Sequence, residues 1–383
     1  MPAEVVRQVL TAIRSALATG AVPGAIVGVL RDGAVDIQAV GSTATDGATA
    51  LSPQSLVRIS SNTKPIAAAL ALALRDDGLL DLDDPVDRFI PELAKRRVLR
   101  RLDGSPDDTV PALSQITIAD LLTMRLGFGF VFEAPCPTVD LAGDAGLGIG
   151  PPDPAVPLTP DEWIARFAEL PLLEQPGSVW RYDLAYAVLG VVLNRAAAQP
   201  LDSLLRDRIT RPLGMVDTDF VARPGSLPDC YSTTESGLAV FDPPDGRWTT
   251  PPSFPDARGG LVSTAADLLR FAQALFDGGQ DVLSERSVTE MTTDQLTAEQ
   301  RSAPSAQAFL DGAGWGYGVQ VIAPDHGTGS RLARYGWGGG LGTLWYSWPD
   351  YRTAVVVLTQ VLPPSAELVE SSINAVEQTL LTE

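Results

Sequence analysis

Apolar and polar positions alternate along residues 24–41, "GAIVGVLRDGAVDIQAVG", with an Asp-Gly pair in the middle of the stretch. A period of two is typical of a β-strand, and Asp-Gly is a favoured two-residue turn between paired strands. Similar short patterns follow in the last third of the chain, in "YGVQVIA", "ARYGWGG", "GTLWYSWP" and "TAVVVLTQ". The pattern therefore predicts a β-hairpin near the beginning of the chain and successive antiparallel strands near its end.

Between these strands, apolar residues recur at the three- and four-residue spacing of helices. The most apolar of these runs, "IAAALALAL", predicts a helix from Asn62 to about Asp77 that Gly78 ends. Other segments that predict helices are 1–20, 117–125, 160–170, 184–197, 201–210, 263–276 and 365–381. We therefore expect one antiparallel sheet built from both termini and flanked by helices, with a helical region inserted.

The order of these elements predicts a mixed α/β (α+β) fold for this chain of 383 residues. Residues 1–65 and 255–383 together are expected to form the sheet domain, and residues 66–254 a mostly helical inserted domain. Within the insertion, residues 126–160 are rich in glycine and proline and predict a long loop. A loop of this length is usually functional or mobile, so we expect it to influence which substrate is bound.

Charge and composition narrow the classes of partner. The net charge of −19 argues against nucleic acid and anionic membrane surfaces. The first twenty residues carry Glu4, Arg7 and Arg14 at helical intervals, where a secretory signal would have an uninterrupted apolar core. We therefore predict a cytoplasmic protein without membrane contact, in which Cys136 and Cys230 are free thiols.

Two side chains that often carry catalysis are scarce. His326 is the only histidine, and Lys64 and Lys95 are the only lysines. Sites that need several histidines, such as zinc centres, are therefore not expected, and we predict neither a metal nor a cofactor. A Ser-His-Asp triad would depend entirely on His326, and the chain lacks the G-x-S-x-G nucleophile motif. A serine nucleophile would thus need a different base.

The stretch "RISSNTKP", residues 58–65, offers such a base. Residues three or four apart share one face of a helix, so Ser61 and Ser60 both face Lys64. A lysine takes a proton from a serine only if burial or a neighbouring cation lowers the pKa of its ammonium group. The spacing does not choose between the two serines. It also fits a capping serine followed by a lysine whose stem lies along an apolar surface.

Other segments, taken in order, give this stretch a context. "RISSNTKP" resembles the S-x-x-K element of the serine β-lactamase and penicillin-binding-protein superfamily, in particular the class C β-lactamase fold. "TIADLLTMRLGFG", "PGSVWRYD", "RPLGMVDT", "GGLVSTAADLLRFAQAL" and "GWGGGLGT" resemble later segments of that superfamily, at similar separations. The resemblance covers about residues 10–380 and implies a β-lactamase-like fold with an acyl-enzyme mechanism.

Two departures from the superfamily pattern point to a particular branch. The third motif, usually K-T-G or H-T-G, is Trp337-Gly338-Gly339, which resembles the family VIII carboxylesterases. In the second motif, Y-x-N, the asparagine position holds Leu184. Since a cation at the third motif normally holds the carboxylate of a β-lactam, its replacement by indole favours a neutral, apolar ester.

The resemblance also implies roles for individual residues. Ser61 would be the nucleophile, with Ser60 as the competing candidate, and Lys64 and Tyr182 would be the general bases. The backbone N–H groups of Ser61 and Gly340 would form the oxyanion hole. The residues expected to contact the substrate are Trp337, Gly338, Gly339, Asp183 and Phe128.

The predicted function is the hydrolysis of carboxylic esters with short or medium acyl chains, so the expected partner is a small-molecule ester. An acyltransferase would use the same acyl-enzyme and pass the acyl group to an alcohol or amine. Hydrolysis of an amide, a β-lactam or a D-amino-acid peptide is a further alternative. A non-catalytic binding protein with this fold is less favoured, because it need not retain Ser61, Lys64 and Tyr182 together.

Overall fold

The predicted hairpin lies at one edge of a seven-stranded sheet in the computed structural model, which describes residues 2–382. Its strands are β1 (Gly24–Arg31) and β2 (Ala34–Gly41), which pair in antiparallel register along their whole length. Asp32 and Gly33 join them with φ angles of 47° and 79°. Positive φ at both turn positions matches the twist of paired strands, and the Asp-Gly pair supplies it.

The remaining strands are short, and most of them lie in the second half of the chain. They are β3 (Val57–Arg58), β4 (Arg97–Leu99), β5 (Thr109–Pro111), β6 (Cys230–Thr234), β7 (Gly237–Asp242), β8 (Val262–Ser263), β9 (Gly314–Trp315), β10 (Gln320–Ile322), β11 (Arg334–Gly339), β12 (Thr343–Trp348), β13 (Thr353–Leu358) and β14 (Val361–Leu362). The large sheet has the order β2-β1-β13-β12-β11-β10-β9, with every pair antiparallel. Ile26 of β1 lies opposite Leu358 of β13, so both ends of the chain build this sheet, as predicted.

Helices surround the sheet and fill the middle of the chain. They are α1 (Pro2–Ala12), α2 (Arg14–Ala18), α3 (Thr63–Asp76), α4 (Ile118–Leu122), α5 (Pro137–Asp144), α6 (Pro160–Glu169), α7 (Ala185–Ala197), α8 (Leu201–Leu205), α9 (Ala265–Phe276), α10 (Glu285–Met291), α11 (Ala298–Ser302), α12 (Pro304–Leu310) and α13 (Ala366–Leu381). Hydroxyl side chains cap several N-termini, and Thr264 accepts a hydrogen bond from the Asp267 N–H at the start of α9. α1 packs against α13 and β1, and α9 packs against β1 and β13.

Helix α3 explains the apolar run that follows the two serines. Its side chains from Thr63 to Leu74 are all buried, and it packs against α7 and α10. A helix that is apolar on every side is stable only inside a protein core. Its N-terminal end, with Lys64, is thereby held at a fixed place inside the molecule.

Several elements differ from the sequence prediction. The predicted loop 126–160 contains α5, and the β6–β7 hairpin lies in a segment for which no strand was predicted. The opening helix is divided at Ile13 into α1 and α2. Only three of the eleven strand residues of the β6–β7 hairpin are buried, so the hairpin carries little of the apolar alternation that reveals a strand.

The division into a sheet domain and a helical domain stays a prediction. Met1 and Glu383, at its outer ends, lie outside the described residues. No helix among residues 2–382 combines the length and the apolar character needed to cross a bilayer. Cys136 and Cys230 are both free, as predicted, and both are buried.

Candidate active site

The stretch with the two serines is anchored on both sides. Before it, β3 pairs with β8, and the buried Arg58 guanidinium binds Asp242 with nitrogen–oxygen distances of 2.5 and 2.8 Å. After it, α3 begins at Thr63. Between these anchors, residues Ser60–Asn62 form a single 3₁₀ turn. The serines therefore lie on a short segment with little freedom to move.

The structure distinguishes the two serines. Lys64 Nζ lies 3.1 Å from Ser61 Oγ, within hydrogen-bond distance. Ser60 is buried and has a φ angle of 50°, in the left-handed region that residues other than glycine rarely adopt. Such strain persists only where the surroundings enforce it. The geometry therefore brings together Ser61 and Lys64, the predicted nucleophile and base.

Thr343, at the start of β12, joins this turn to the edge of the large sheet. Its hydroxyl donates to the Ile59 carbonyl at 2.8 Å and accepts from Asn62 Nδ2 at 3.1 Å. Both partners flank the two serines in the chain. The hydroxyl therefore holds the end of β11 and the beginning of β12 against the serine turn.

The predicted glycines of the third motif lie at this contact. A Cβ atom on Gly339 would be 2.5 Å from the Ile59 carbonyl oxygen and would also overlap the Thr343 hydroxyl. Only glycine allows the strand to approach so closely. Gly340 follows directly after β11, and its N–H donates to no other residue in the part of the chain that the structure describes. This N–H is therefore available as an oxyanion donor.

Tyr182 lies in a group of aromatic rings beside the lysine. The ring centroids of Phe309 and Trp337 are 4.6 and 5.4 Å from that of Tyr182, and Trp180 is 5.8 Å away. Lys64 Nζ lies 4.6 Å from the centre of the Tyr182 ring. A cation over an aromatic face is an attractive contact. The ring of Tyr182 is thus fixed from several sides, with the lysine on its face.

A hydrogen bond sets the direction of the Tyr182 hydroxyl. Trp337 Nε1 donates to the Tyr182 hydroxyl oxygen at 2.7 Å. Indole can only donate, so the phenol oxygen must accept this bond. The phenolic hydrogen of Tyr182 is therefore free to be donated to another group.

Asp183 and Arg258 complete the polar part of the site. Asp183 Oδ1 lies 3.5 Å from Lys64 Nζ, and Asp183 Oδ2 lies 3.1 Å from Arg258 Nη1. Arg258 also binds Asp256 through two nitrogens, at 2.7 and 3.0 Å from Oδ2. Burial by itself would lower the pKa of the Arg258 guanidinium, but the two carboxylates outweigh burial and hold that pKa above its usual value. Arg258 therefore stays charged and fully engaged with Asp183 and Asp256.

Asp183, Arg258 and Asp256 border a cavity of about 530 Å³, a size suited to a small organic ligand. Ser60, Ser61, Tyr182 and the segment from Trp337 to Gly340 line one part of it. Most of the remaining lining residues are apolar, namely Phe130, Pro151, Pro152, Phe309, Leu344, Leu362, Pro363, Pro364 and Val369. Larger depressions near Pro200 and near Lys95 contain none of the predicted catalytic residues.

A protein-family model described as "Beta-lactamase" matches residues 9–379. The chain belongs to the beta-lactamase family. This match confirms the superfamily that the ordered motifs indicated. The chain is therefore a member of a family of hydrolases.

Several beta-lactamase family relatives resemble the chain over most of its length. Protein Rv1367c of Mycobacterium tuberculosis is 35% identical over 366 residues, which are 92% of this chain and 89% of the relative. Esterase EstB of Burkholderia gladioli is 31% identical over 328 residues, or 79% of this chain and 77% of EstB. The similarity to EstB agrees with the resemblance to the family VIII carboxylesterases.

A solved structure confirms the fold. It is EstCE1, described as a hydrolase with promiscuous acyltransferase activity, which superimposes with a TM-score of 0.83 at 23% identity. The comparison covers 97% of this chain and 98% of EstCE1. The β-lactamase-like architecture predicted from the motifs, an antiparallel sheet with flanking helices, is therefore correct.

One residue predicted to contact the substrate does not lie at this cavity. Phe128 is fully buried, packs edge-on against Phe167 with a centroid distance of 5.4 Å, and does not line the cavity. Trp163 is also in the core, where it packs between Phe167 and Phe254. Asp183, Trp337, Gly338 and Gly339 do line the cavity, but the Asp183 carboxylate faces Lys64 and Arg258.

Sequence reasoning missed residues that the fold brings in from distant segments. Arg258, in "DARGG", lies outside every predicted element, and Phe309 belongs to α12, which was not predicted. Neither residue carries a local signal of its place in the site. His326, by contrast, does not line the cavity and lies 3.8 Å from Asp294.

Proposed function

We propose that this chain is a serine carboxylesterase that cleaves neutral, apolar esters through an acyl-enzyme on Ser61. The observation that carries this proposal is the distance of 3.1 Å between Lys64 Nζ and Ser61 Oγ at the wall of an apolar cavity. A serine hydroxyl becomes a useful nucleophile when an adjacent base accepts its proton. Lys64 is such a base, and it is almost completely buried.

In the acylation step, Ser61 Oγ bonds to the ester carbonyl carbon while its proton passes to the Lys64 amine. The N–H groups of Ser61 and Gly340 hold the negative charge that develops on the carbonyl oxygen. The bond to the leaving alkoxide then breaks, and the alkoxide takes the phenolic proton of Tyr182. Trp337 supports this step because its N–H donates to the Tyr182 oxygen. The phenolic proton of Tyr182 is then free to pass to the leaving group.

Deacylation reverses these proton movements with water in place of the alcohol. The Tyr182 phenolate takes a proton from water, and the resulting hydroxide attacks the acyl carbon. The bond to Ser61 Oγ breaks, and Ser61 regains its proton from the Lys64 ammonium. The three side chains return to their starting state, and the acyl group leaves as a carboxylic acid.

The charges of the cavity support a neutral substrate. Arg258 is the only cationic side chain among the residues that line the cavity, and Asp183 and Asp256 both hold it in ion pairs. A substrate carboxylate would enter without a free cationic partner, at the cost of its lost hydration. This favours short or medium apolar acyl groups over carboxylate-bearing β-lactams and peptides.

Acyl transfer is the second candidate, and the aromatic walls beside Tyr182 favour it. Phe309 and Phe130 border the place where the acceptor must approach the Tyr182 hydroxyl, and both present apolar rings. An apolar alcohol would bury its apolar surface against these rings and gain binding free energy, which water cannot do. The same acyl-enzyme would then give a new ester in place of an acid.

The first experiment measures initial rates on p-nitrophenyl butyrate for the wild type, Ser61→Ala and Ser60→Ala. We expect Ser61→Ala to lower kcat at least about 10³-fold, as the removal of a catalytic nucleophile does. Ser60→Ala is the matched control and should retain most activity. Adding 1-butanol to the same assay separates hydrolysis, which gives butyric acid, from transfer, which gives butyl butyrate.

Equal rates for wild type and Ser61→Ala would overturn the assignment of the nucleophile. A loss confined to Ser60→Ala would move that role to Ser60. No rate above background in any of the three would contradict the carboxylesterase and favour the amide-hydrolase or binding-protein alternatives.

A further inference from the structure

Lys64 has three polar neighbours, and one of them is a carboxylate. Its Nζ lies 2.7 Å from the Arg258 carbonyl oxygen, 3.1 Å from Ser61 Oγ and 3.5 Å from Asp183 Oδ1. The side chains of Lys64 and Asp183 are only 1% and 5% exposed. Since water hardly reaches this place, these protein atoms determine where the lysine nitrogen lies.

The same carboxylate extends a chain of alternating charges. Asp183 Oδ2 accepts from Arg258 Nη1 at 3.1 Å, and Arg258 binds Asp256 on its other side. We call Lys64, Asp183, Arg258 and Asp256 the ionic chain. When Lys64 carries a proton, the ionic chain contains two positive and two negative groups. A buried ammonium group without a charged partner has a large desolvation penalty. The ionic chain therefore stabilises the protonated Lys64 of the acyl-enzyme.

The ionic chain also holds one wall of the cavity. Arg258 Nη1 donates to the Gly148 carbonyl at 2.7 Å, and the Gly150 N–H points to Asp183 Oδ2 at 3.4 Å. Gly150 and the two prolines after it line the cavity. The position of the base and the position of this wall therefore depend on the same carboxylate.

The backbone at Asp183 indicates that its placement is enforced. Its φ angle is 103°, a conformation that is strained for any residue other than glycine. The next residue, Leu184, stands where the second motif has asparagine, and it is fully buried and apolar. Leu184 therefore cannot supply a polar contact to the lysine. Asp183, turned by its unusual backbone, supplies one.

We propose that Asp183 is the positioning residue for Lys64 and that Arg258 holds Asp183 at the required distance. The role rests on the proposed function, in which Lys64 accepts the Ser61 proton. Asp183 fixes the lysine nitrogen beside Ser61 Oγ and balances the ammonium formed in acylation. Arg258 shares Asp183 with the lysine and ties both to the wall at Gly148–Pro152.

The test uses Asp183→Asn, which keeps the size of the side chain and removes its charge. Two readouts are compared with wild type, steady-state hydrolysis of p-nitrophenyl butyrate and the rate at which a fluorophosphonate probe labels Ser61. We expect kcat and the labelling rate to fall by about 10- to 100-fold, with KM within about threefold, because small misplacements of a catalytic group have effects of this size. A fall in kcat with nearly unchanged KM distinguishes a role in positioning the base from a role in binding the substrate.

Asp267→Asn is the matched structural control. Asp267 is another buried carboxylate, and it binds Arg270, Thr218 and the Asp217 N–H, outside the cavity. We expect this variant to lose stability but to keep kcat within about twofold. If Asp183→Asn and Asp267→Asn lower kcat equally for the same loss of stability, the role of Asp183 is structural and the proposal fails.

Arg258→Lys tests the second half of the proposal. Lysine keeps the charge but lacks the planar group that reaches Asp183, Asp256 and Gly148 together. We expect kcat to fall and KM to rise, because both the base and the cavity wall lose support. Wild-type kinetics in Arg258→Lys would overturn the role of Arg258.

The labelling readout separates failure of this proposal from failure of the proposed function. If wild type cleaves no ester but its Ser61 still reacts with the probe, the proposed function fails, and the labelling rate of Asp183→Asn still decides the role of Asp183. If wild type is an active esterase and Asp183→Asn matches it in both readouts, only the role of Asp183 is overturned.

Discussion

At the scale of single residues, one hydrogen bond gives Tyr182 its direction. The indole N–H of Trp337 replaces a cation at the third motif and donates to the phenol oxygen. A cation at that position would attract a substrate carboxylate, whereas indole offers one donor and an apolar face. Trp337 thus both removes a binding site for acids and orients the group that we propose protonates the leaving alcohol.

We predict that Trp337→Phe lowers kcat by about 10-fold, because phenylalanine keeps the ring but leaves the Tyr182 hydroxyl free to turn. Tyr182→Phe should lower kcat by about 10²- to 10⁴-fold, the range typical of a lost general acid or base. The measurement is the steady-state hydrolysis of p-nitrophenyl butyrate, with folding checked by circular dichroism.

Tyr186→Phe is the control for these two variants. Tyr186 lies one helical turn further along, and its hydroxyl donates to the Leu122 carbonyl, which Trp315 also binds. Removal of the Tyr186 hydroxyl should lower the stability of the fold and leave kcat unchanged. A Trp337→Phe enzyme as fast as wild type would show that the indole N–H does not orient Tyr182.

The choice between the two serines also belongs to this scale. The S-x-x-K spacing left Ser60 and Ser61 both facing Lys64, because helical spacing specifies a face and not a distance. The 3₁₀ turn and the contact at 3.1 Å favour Ser61. Phe128 shows the opposite case, since the family resemblance implied a substrate contact while its side chain packs in the core.

At the scale of elements, the position of Lys64 depends on a turn from the other end of the chain. Gly318, between β9 and β10, has a φ angle of 81°. A Cβ atom there would lie 2.7 Å from Ala68 Cβ, 2.8 Å from the Tyr186 hydroxyl and 3.0 Å from the Lys64 carbonyl oxygen. The turn therefore packs directly against the first turns of α3, which contain Lys64.

We predict that Gly318→Ala lowers the free energy of unfolding by more than Gly33→Ala, measured by urea denaturation. Gly33 has nearly the same φ angle, 79°, but a Cβ atom there would meet nothing within 4 Å. Gly33→Ala should cost about 1–2 kcal/mol for the left-handed backbone alone. Gly318→Ala should cost about 1–3 kcal/mol more for the overlap with α3, and equal losses would show that α3 yields easily.

The elements that the sequence predicted well are those with long, regular patterns. The hairpin at 24–41, α3, α9 and the strands β11–β13 lie close to their predicted places because burial of one face, or of all faces, imposes the period. The missed elements α5, α10, α11 and α12 are short, and the predicted pattern did not extend to them. Each of them has at least one buried residue.

At the scale of the whole molecule, the net negative charge of the protein and the ion pairs in its cavity both disfavour anionic substrates. The net charge of −19 repels anions at a distance. Inside the cavity, Arg258 is committed to Asp183 and Asp256. An anionic ester is therefore disfavoured both on approach and on binding.

We predict that mono-p-nitrophenyl adipate is cleaved with kcat/KM at least about 10-fold below that of p-nitrophenyl hexanoate, which matches it in length without the carboxylate. Raising the salt from about 0.01 to 0.5 M should narrow this gap, because salt screens the long-range part of the repulsion. Equal kcat/KM values at low salt would show that a cation in the cavity is free to bind carboxylates.

The sequence by itself determined the superfamily, the antiparallel sheet built from both termini and the residue types of the chemistry. Local patterns and ordered motifs carry that information, because hydrophobic periodicity and the spacing of S-x-x-K are properties of neighbouring residues. Only the tertiary structure decided that Arg258 and Asp183 join Lys64 and that Phe309 rather than Phe128 borders the site. Those contacts join segments far apart in the chain, and packing of the whole core sets their distances.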